Sequence, residues 1–181
     1  MVKRSAGNSI TFSDETLFRS VRYGVIPFHD VFDRVVDFLR EDPHSSYCIS
    51  VGSDSQSNCE ESVMVTCVLV HRKGQGAIGF YTRNYLRRPL VNLREKLSLE
   101  TLCSLQLAYL FDEERLGKIY DALSGKGGVE LEFHIDAGEK GPTRAYLAEL
   151  IGMAKGLAFI PRVKPESVCA SSYADRHSKV L

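Results

Sequence analysis

Four carboxylates lie one to an element along this chain; divalent magnesium or manganese takes hard oxygen ligands, and a strand end is rigid enough to aim them. Asp54 closes the run Cys48-Ile49-Ser50-Val51-Gly52-Ser53-Asp54, and Asp136 closes Leu131-Glu132-Phe133-His134-Ile135-Asp136. Glu100 lies inside a leucine-rich helical stretch, and Asp175 falls in a C-terminal helical segment. Carboxylates buried together are pushed toward their protonated forms unless a cation neutralises them, so a converging set implies a bound metal. Each residue also has a plainer local reading. Asp54 and Asp136 fit turn or cap positions at strand ends. Glu100 fits a solvated helix face, with Glu95 as the substitute ligand if the helix is phased differently. Asp175 fits a polar face shared with Arg176, His177 and Lys179.

His177 stands two residues from Asp175, where an imidazole could assist proton transfer beside a metal. His134 shares a strand face with Asp136 and reads as a hydrogen-bonded core histidine or as support for the site. Gly138-Glu139-Lys140-Gly141-Pro142-Thr143 lacks the Gly-Lys-Ser/Thr run of a Walker loop, because proline follows the second glycine. The helix start there still offers backbone N–H groups to a phosphate. Lys140, Arg144 and Lys164 add positive charge at that sheet edge, as a polynucleotide backbone requires. A second basic stretch holds Arg83, Arg87, Arg88 and Arg94 with Tyr81 and Tyr85 interleaved, a composition that grips phosphates and stacks on bases. Its plainer reading is a solvated loop balanced by Glu95.

These side chains must be positioned by a sheet and several helices. The first ~26 residues read as a weakly structured lead-in. Phe28, Val31, Phe32, Val35, Val36 and Leu39 then recur at helical spacing, and Asp42-Pro43 stops that helix. Three strand-like runs follow, Tyr47 to Ser53, Val63 to His71 and Ala77 to Leu86, joined closely enough for an antiparallel meander. The second is apolar on both phases, so both its faces should be covered. A long helix begins near Asn92 and a second runs from Asp112 to Leu123. Ser124-Gly125-Lys126-Gly127-Gly128 breaks into a strand from Val129 to Ile135. A helix starting at Gly141-Pro142 and running to Gly156, a buried strand from Leu157 to Val163 and a helix from Ser167 to Val180 complete the order. The expected fold is α/β, with a mixed five-stranded sheet and helices on both faces.

At 181 residues, with 44% hydrophobic and 25% charged residues, the chain has ordinary globular composition for one domain. Residues 1–46 form the lead-in and first helix, packed on a body spanning 47–181. The 23 basic residues match the 23 acidic ones, which removes a globally basic surface as an argument for nucleic-acid binding. Five cysteines without a CxxC spacing argue against a disulfide framework or structural zinc and read as small buried hydrophobes. No apolar run approaches the ~20 residues of a membrane span, so a soluble cytoplasmic protein is expected.

Five motifs carry a resemblance: Val51-Gly52-Ser53-Asp54-Ser55-Gln56, Lys96-Leu97-Ser98-Leu99-Glu100, His134-Ile135-Asp136-Ala137-Gly138, Val163-Lys164-Pro165 and Ala174-Asp175-Arg176-His177. In this order on these elements they resemble the RNase H-like fold of ribonucleases H, Holliday-junction resolvases and integrases. More specifically, they resemble the bacterial YkuK-like family of that fold. The resemblance covers the chain from about Tyr47 to its end. It implies two-metal phosphodiester hydrolysis with two magnesium or manganese ions roughly 4 Å apart. Asp54 would bridge the ions, Glu100 and Asp136 would flank it, and Asp175 or His177 would complete the shell. The expected function is a metal-dependent nuclease acting on RNA or DNA. Two alternatives are a catalytically silent nucleic-acid-binding module and a nucleotide phosphohydrolase of the same architecture, the latter because Asp136-Ala137-Gly138 resembles an ATP-binding element.

Overall fold

The structure is a computed structural model that describes residues 10–124 and 127–178. Lys179 and Val180, and Gly125-Lys126 of the glycine-rich break, lie outside the described residues. The sheet has seven strands rather than five, because two short strands sit where a lead-in was expected. These are β1 (Leu17–Ser20) and β2 (Gly24–Pro27), an antiparallel hairpin that joins the sheet through Arg19 opposite Tyr81. Gly24 takes a positive φ of 72° at its turn, a conformation open to glycine at little cost. Phe18, fully buried, packs its ring 5.8 Å from that of Phe28 and anchors the hairpin to the core.

Helix α1 (Phe28–Arg40) forms because its apolar residues recur on one face, and Phe28, Val31, Phe32, Val35, Val36 and Leu39 are all buried. Tyr47 ties its C-terminal end to the sheet. The phenol donates to Asp42 O at 2.9 Å and accepts from Arg72 Nε at 2.9 Å. Strands β3 (Ser46–Ser57), β4 (Ser62–Arg72) and β5 (Gly76–Leu86) make the expected antiparallel meander. Both faces of β4 are covered: Val68 and Val70 join the main core, whereas Val65 and Cys67 face the C-terminal segment.

Asn92 caps α2 (Leu93–Tyr109) by accepting from Glu95 N–H at 3.0 Å, and Asp112 caps α3 (Glu113–Asp121) by accepting from Arg115 N–H at 2.9 Å. Strand β6 (Gly128–Gly138) runs parallel to β3, and β7 (Ile160–Lys164) runs parallel to β6. The order across the sheet is β2-β1-β5-β4-β3-β6-β7.

Three expectations need correction in this half. The helix after Gly141 begins as a 3₁₀ turn at Pro142–Tyr146, and α4 covers only Leu147–Met153. Strand β7 starts at Ile160 and is not buried, because it forms the outer edge of the sheet and Ile160 remains 50% exposed. The C-terminal helix is a π turn at Cys169–Ala174 followed by the short α5 (Asp175–Ser178).

The first three helices and α4 contribute to a core on one sheet face, and the Cys169–Ser178 segment covers the other. Among the described residues, no helix is long and apolar enough to cross a membrane.

Candidate active site at the divergence of two parallel strands

Strands β3 and β6 pair in parallel from Ser46↔Gly128 to Gly52↔His134 and then separate, although β3 continues to Ser57 and β6 to Gly138. Asp54 and Asp136 each lie two residues beyond that last pair, near enough for the Asp136 charge to act on Asp54. Strand alternation turns both toward the face covered by the C-terminal segment. Asp54 therefore stands three residues inside β3, in the mouth of a cleft between strands. A turn-forming role is ruled out for it.

Glu100 reaches the same cleft from α2. Its Oε1 accepts from the backbone N–H of Ser55 at 2.8 Å and from Ser55 Oγ at 2.7 Å. The carboxylate thus takes up a strand N–H that has lost its partner where β6 turns away. The residue is 3% exposed, and its other oxygen, Oε2, is buried with no hydrogen-bond partner among the described residues. Glu95, the alternative ligand, is partly exposed and paired with Arg88, so the helix phase favours Glu100.

Burial raises the Glu100 carboxyl to about 8, and the negative charges of Asp54 and Asp136 act in the same direction while Lys96 opposes them. Asp54 is also pushed up, first by burial and then by Asp136 and Asp175. The hydroxyl of Ser178, donating to Asp54 Oδ2 at 2.7 Å, and the charge of Lys96 pull it back. Asp175 Oδ1 accepts from Gln56 Nε2 at 3.1 Å, which places it beside Asp54 two residues along β3.

Two ammonium groups stand among these acids. Lys96 Nζ lies 3.6 Å from Glu100 Oε1 and 3.9 Å from Asp54 Oδ1, and Lys164 Nζ lies 3.0 Å from Asp136 Oδ1. The Lys164 contact is a charge pair without hydrogen-bond alignment. Lys164, assigned from sequence to a phosphate, is thus engaged with a carboxylate. Lys96 was missed as a site residue, yet its signal was present: it precedes Glu100 by four residues, one turn along the same helix face. Ser55 and Ser178 were missed as well, and nothing in their local sequence marks them.

Among the described residues, no three His, Cys, Asp or Glu side chains are gathered tightly enough to hold one ion. The four acids share a neighbourhood, and two lysines offset part of their negative charge.

His177 is not among them. Its ring stacks on Tyr81 at 3.9 Å and 10°, and meets Tyr173 edge-on at 5.1 Å. Burial lowers its pKa, with Arg83 and Arg176 adding to the effect. His134 is a buried core histidine. Nδ1 accepts from Cys169 N–H at 2.8 Å, which leaves Nε2 to donate to Glu132 at 2.8 Å, and burial lowers its pKa.

The basic residues divide. Arg83 donates to His177 O at 2.8 Å and lies over the Tyr81 ring, Arg88 pairs with Glu95, and Arg94 pairs with Glu149. Exposed Arg87, Lys140 and Arg144 pair with no acid among the described residues. Lys140 and Arg144 line an open cleft with Leu147 and Ile151, just beyond the strand that carries Asp136.

A seven-stranded mixed sheet of this order, with acids at the point where parallel strands separate, defines an RNase H-like protein. The Ribonuclease H-like family profile matches residues 30–179, and the chain belongs to that family. It is 36% identical over 171 residues to the uncharacterised protein YkuK of Bacillus subtilis (strain 168), an alignment covering 92% of this chain and 99% of that protein. No solved structure matches.

Proposed function

We infer that the protein is a divalent-metal-dependent nuclease that hydrolyses phosphodiester bonds in RNA or DNA. The observation that carries this reading is Glu100 Oε2, a carboxyl oxygen buried without a hydrogen-bond partner among the described residues, in a cleft shared with Asp54 and Asp136. A carboxyl buried with one oxygen unsatisfied is costly whether it keeps or loses its proton, and a cation that displaced the proton would remove the cost. The donors are all hard oxygens, which fit magnesium or manganese. Asp54, Glu100 and Asp136 would hold the ions, with Asp175 completing the set.

Bound there, such ions supply a Lewis acid for the phosphate and lower the pKa of a nucleophilic water. The chain supplies the rest. Ser55 holds Glu100 in one orientation, Ser178 does the same for Asp54, and Lys140 and Arg144 are free to take backbone phosphates beside the cleft. Lys96, about a third exposed, has room to swing toward solvent or toward a substrate phosphate as its acids take up metal.

A second reading, a silent nucleic-acid-binding module, draws on the same lysines. If Lys96 and Lys164 are permanent counter-ions, the acids need no metal.

One experiment separates the two. Manganese or magnesium is titrated while the melting temperature is followed, and labelled RNA/DNA hybrid, single-stranded DNA and branched DNA are incubated with the protein and with Asp136→Asn. Metal-dependent stabilisation with cleavage lost in the variant is the nuclease result. Binding without either effect leaves the silent module.

A further inference from the structure

Two thiols meet on the sheet face that the C-terminal segment covers. Cys67, on β4, and Cys169, the first residue of the π turn, are fully buried, and their sulfurs are 3.0 Å apart as free thiols. Both are held by neighbouring groups. Cys67 Sγ lies 3.4 Å from Gly52 O, while the Cys169 N–H is held by His134 Nδ1 and its Sγ lies 3.5 Å from Ser50 O. The remaining cysteines are placed elsewhere. Cys48 donates to Glu132, Cys103 packs with Met64 and Leu90 in a separate cluster, and Cys59 is exposed.

The segment that Cys169 begins is the one that closes the Asp54 face. It carries Tyr173 against Gly79, Asp175 against Gln56, His177 on Tyr81 and Ser178 on Asp54. Its regular structure is one π turn and four α-helical residues, so little internal hydrogen bonding holds it down.

We propose that Cys67 and Cys169 are a modification site, a reversible disulfide that staples the C-terminal segment onto the sheet. The oxidant is a small disulfide of the glutathione type. On local opening, the Cys169 thiolate attacks one sulfur of that disulfide, forming a mixed disulfide and releasing one thiol. The Cys67 sulfur then attacks Cys169 Sγ and expels the second thiol. Two protein thiols lose two hydrogens, and one small disulfide becomes two thiols. Burial makes the reaction depend on opening, so the rate reports how often the segment lifts. The link spans 102 residues of chain, a separation at which cross-linking restricts the unfolded state strongly.

The full-length protein is incubated with oxidised glutathione, denatured, alkylated and mapped by mass spectrometry. Expected are a mass lower by two hydrogens, a linked peptide pair containing Cys67 and Cys169, and reversal by dithiothreitol. The oxidised form should melt roughly 5–15 °C higher and exchange its amide hydrogens more slowly over residues 169–178. Cys59→Ser should behave like the wild type, and Cys67→Ala should show no rise on oxidation. Full alkylation of both cysteines after the oxidised protein is denatured, or linkage through another cysteine, overturns the proposal. A linked protein with unchanged melting and exchange overturns the staple. None of these readouts requires the nuclease reading to hold.

Discussion

Lys96 is shared between two acids that come from different elements: its ammonium lies 3.6 Å from Glu100 Oε1, one turn along α2, and 3.9 Å from Asp54 Oδ1 on β3. The helix places lysine and glutamate on one face. The sheet then brings Asp54 to the same ammonium through the gap left by β6. One positive charge thus faces two nearly buried carboxyl groups, and under the proposed function it stands beside the place a metal ion would take.

Removing that charge should destabilise the fold. Lys96→Met is expected to cost about 1–3 kcal/mol near neutral pH, measured by denaturant unfolding. The loss should grow as pH rises past about 8 and Glu100 ionises, and shrink in acid as Asp54 protonates. If the cleft takes divalent metal, manganese should recover more stability in this variant than in the wild type, and equal recovery would show that Lys96 and metal do not compete.

Stability should fall as pH rises through the range set by Glu100. Its carboxyl is raised from 4.5 to about 8, so between those values the folded chain holds a proton that the unfolded chain has released. The protonated form's stabilising effect is complete below pH 4.5 and is lost as pH climbs past 8. Asp54, also raised, acts with the same sign. Glu100→Gln should flatten this part of the curve, and melting temperatures across the range test it. Because metal must displace the same proton, metal-induced stabilisation should strengthen with pH in the wild type.

Asp54→Asn separates function from folding. Burial makes the Asp54 charge unfavourable, so its neutral isostere should melt at or above the wild-type temperature without metal. Under the proposed function it should lose the metal-induced shift, with cleavage down by more than about a hundredfold, the order seen when one group stabilising transition-state charge is removed. Retained cleavage in Asp54→Asn would falsify its assignment as a ligand.

Gly79→Ala tests the seat of the C-terminal segment. A Cβ there would come within 2.4 Å of Cζ and Oη of Tyr173. These atoms are the far end of a side chain, so the ring should swing away and the core should survive, at a cost of about 1 kcal/mol. The expected signature is local: faster amide exchange or proteolysis over residues 169–178, with near-normal global unfolding. Tyr173→Ala in the same background should remove the steric part of the effect.

Much of the architecture was legible because it follows from periodicity. The apolar face of Phe28 to Leu39, the two-sided burial of Val63 to Val70 and the helix starts near Asn92 and at Asp112 each depend on residues close in sequence. The hairpin of β1 and β2 was missed because its strands are only four residues long and half exposed, so the alternation around Phe18 and Ile26 is too brief to stand out. The edge position of β7 was also hidden, since Leu157 to Val163 looks apolar whether or not a neighbouring strand covers it.

At the site, the sequence by itself marked four acids as candidates, through the motifs they sit in, and set a lysine one turn from Glu100. Only the tertiary structure decided what those acids meet. The separation of β3 from β6 beyond Gly52 and His134 leaves the Ser55 N–H to Glu100, and the fold brings Asp136 near enough to act on Asp54. The C-terminal segment folds back to put Ser178 on Asp54 and His177 on Tyr81, away from the acids. Those contacts join residues up to 124 positions apart. Local propensity carries no information at that distance, because such pairings arise from the closing of the sheet and the packing over its face.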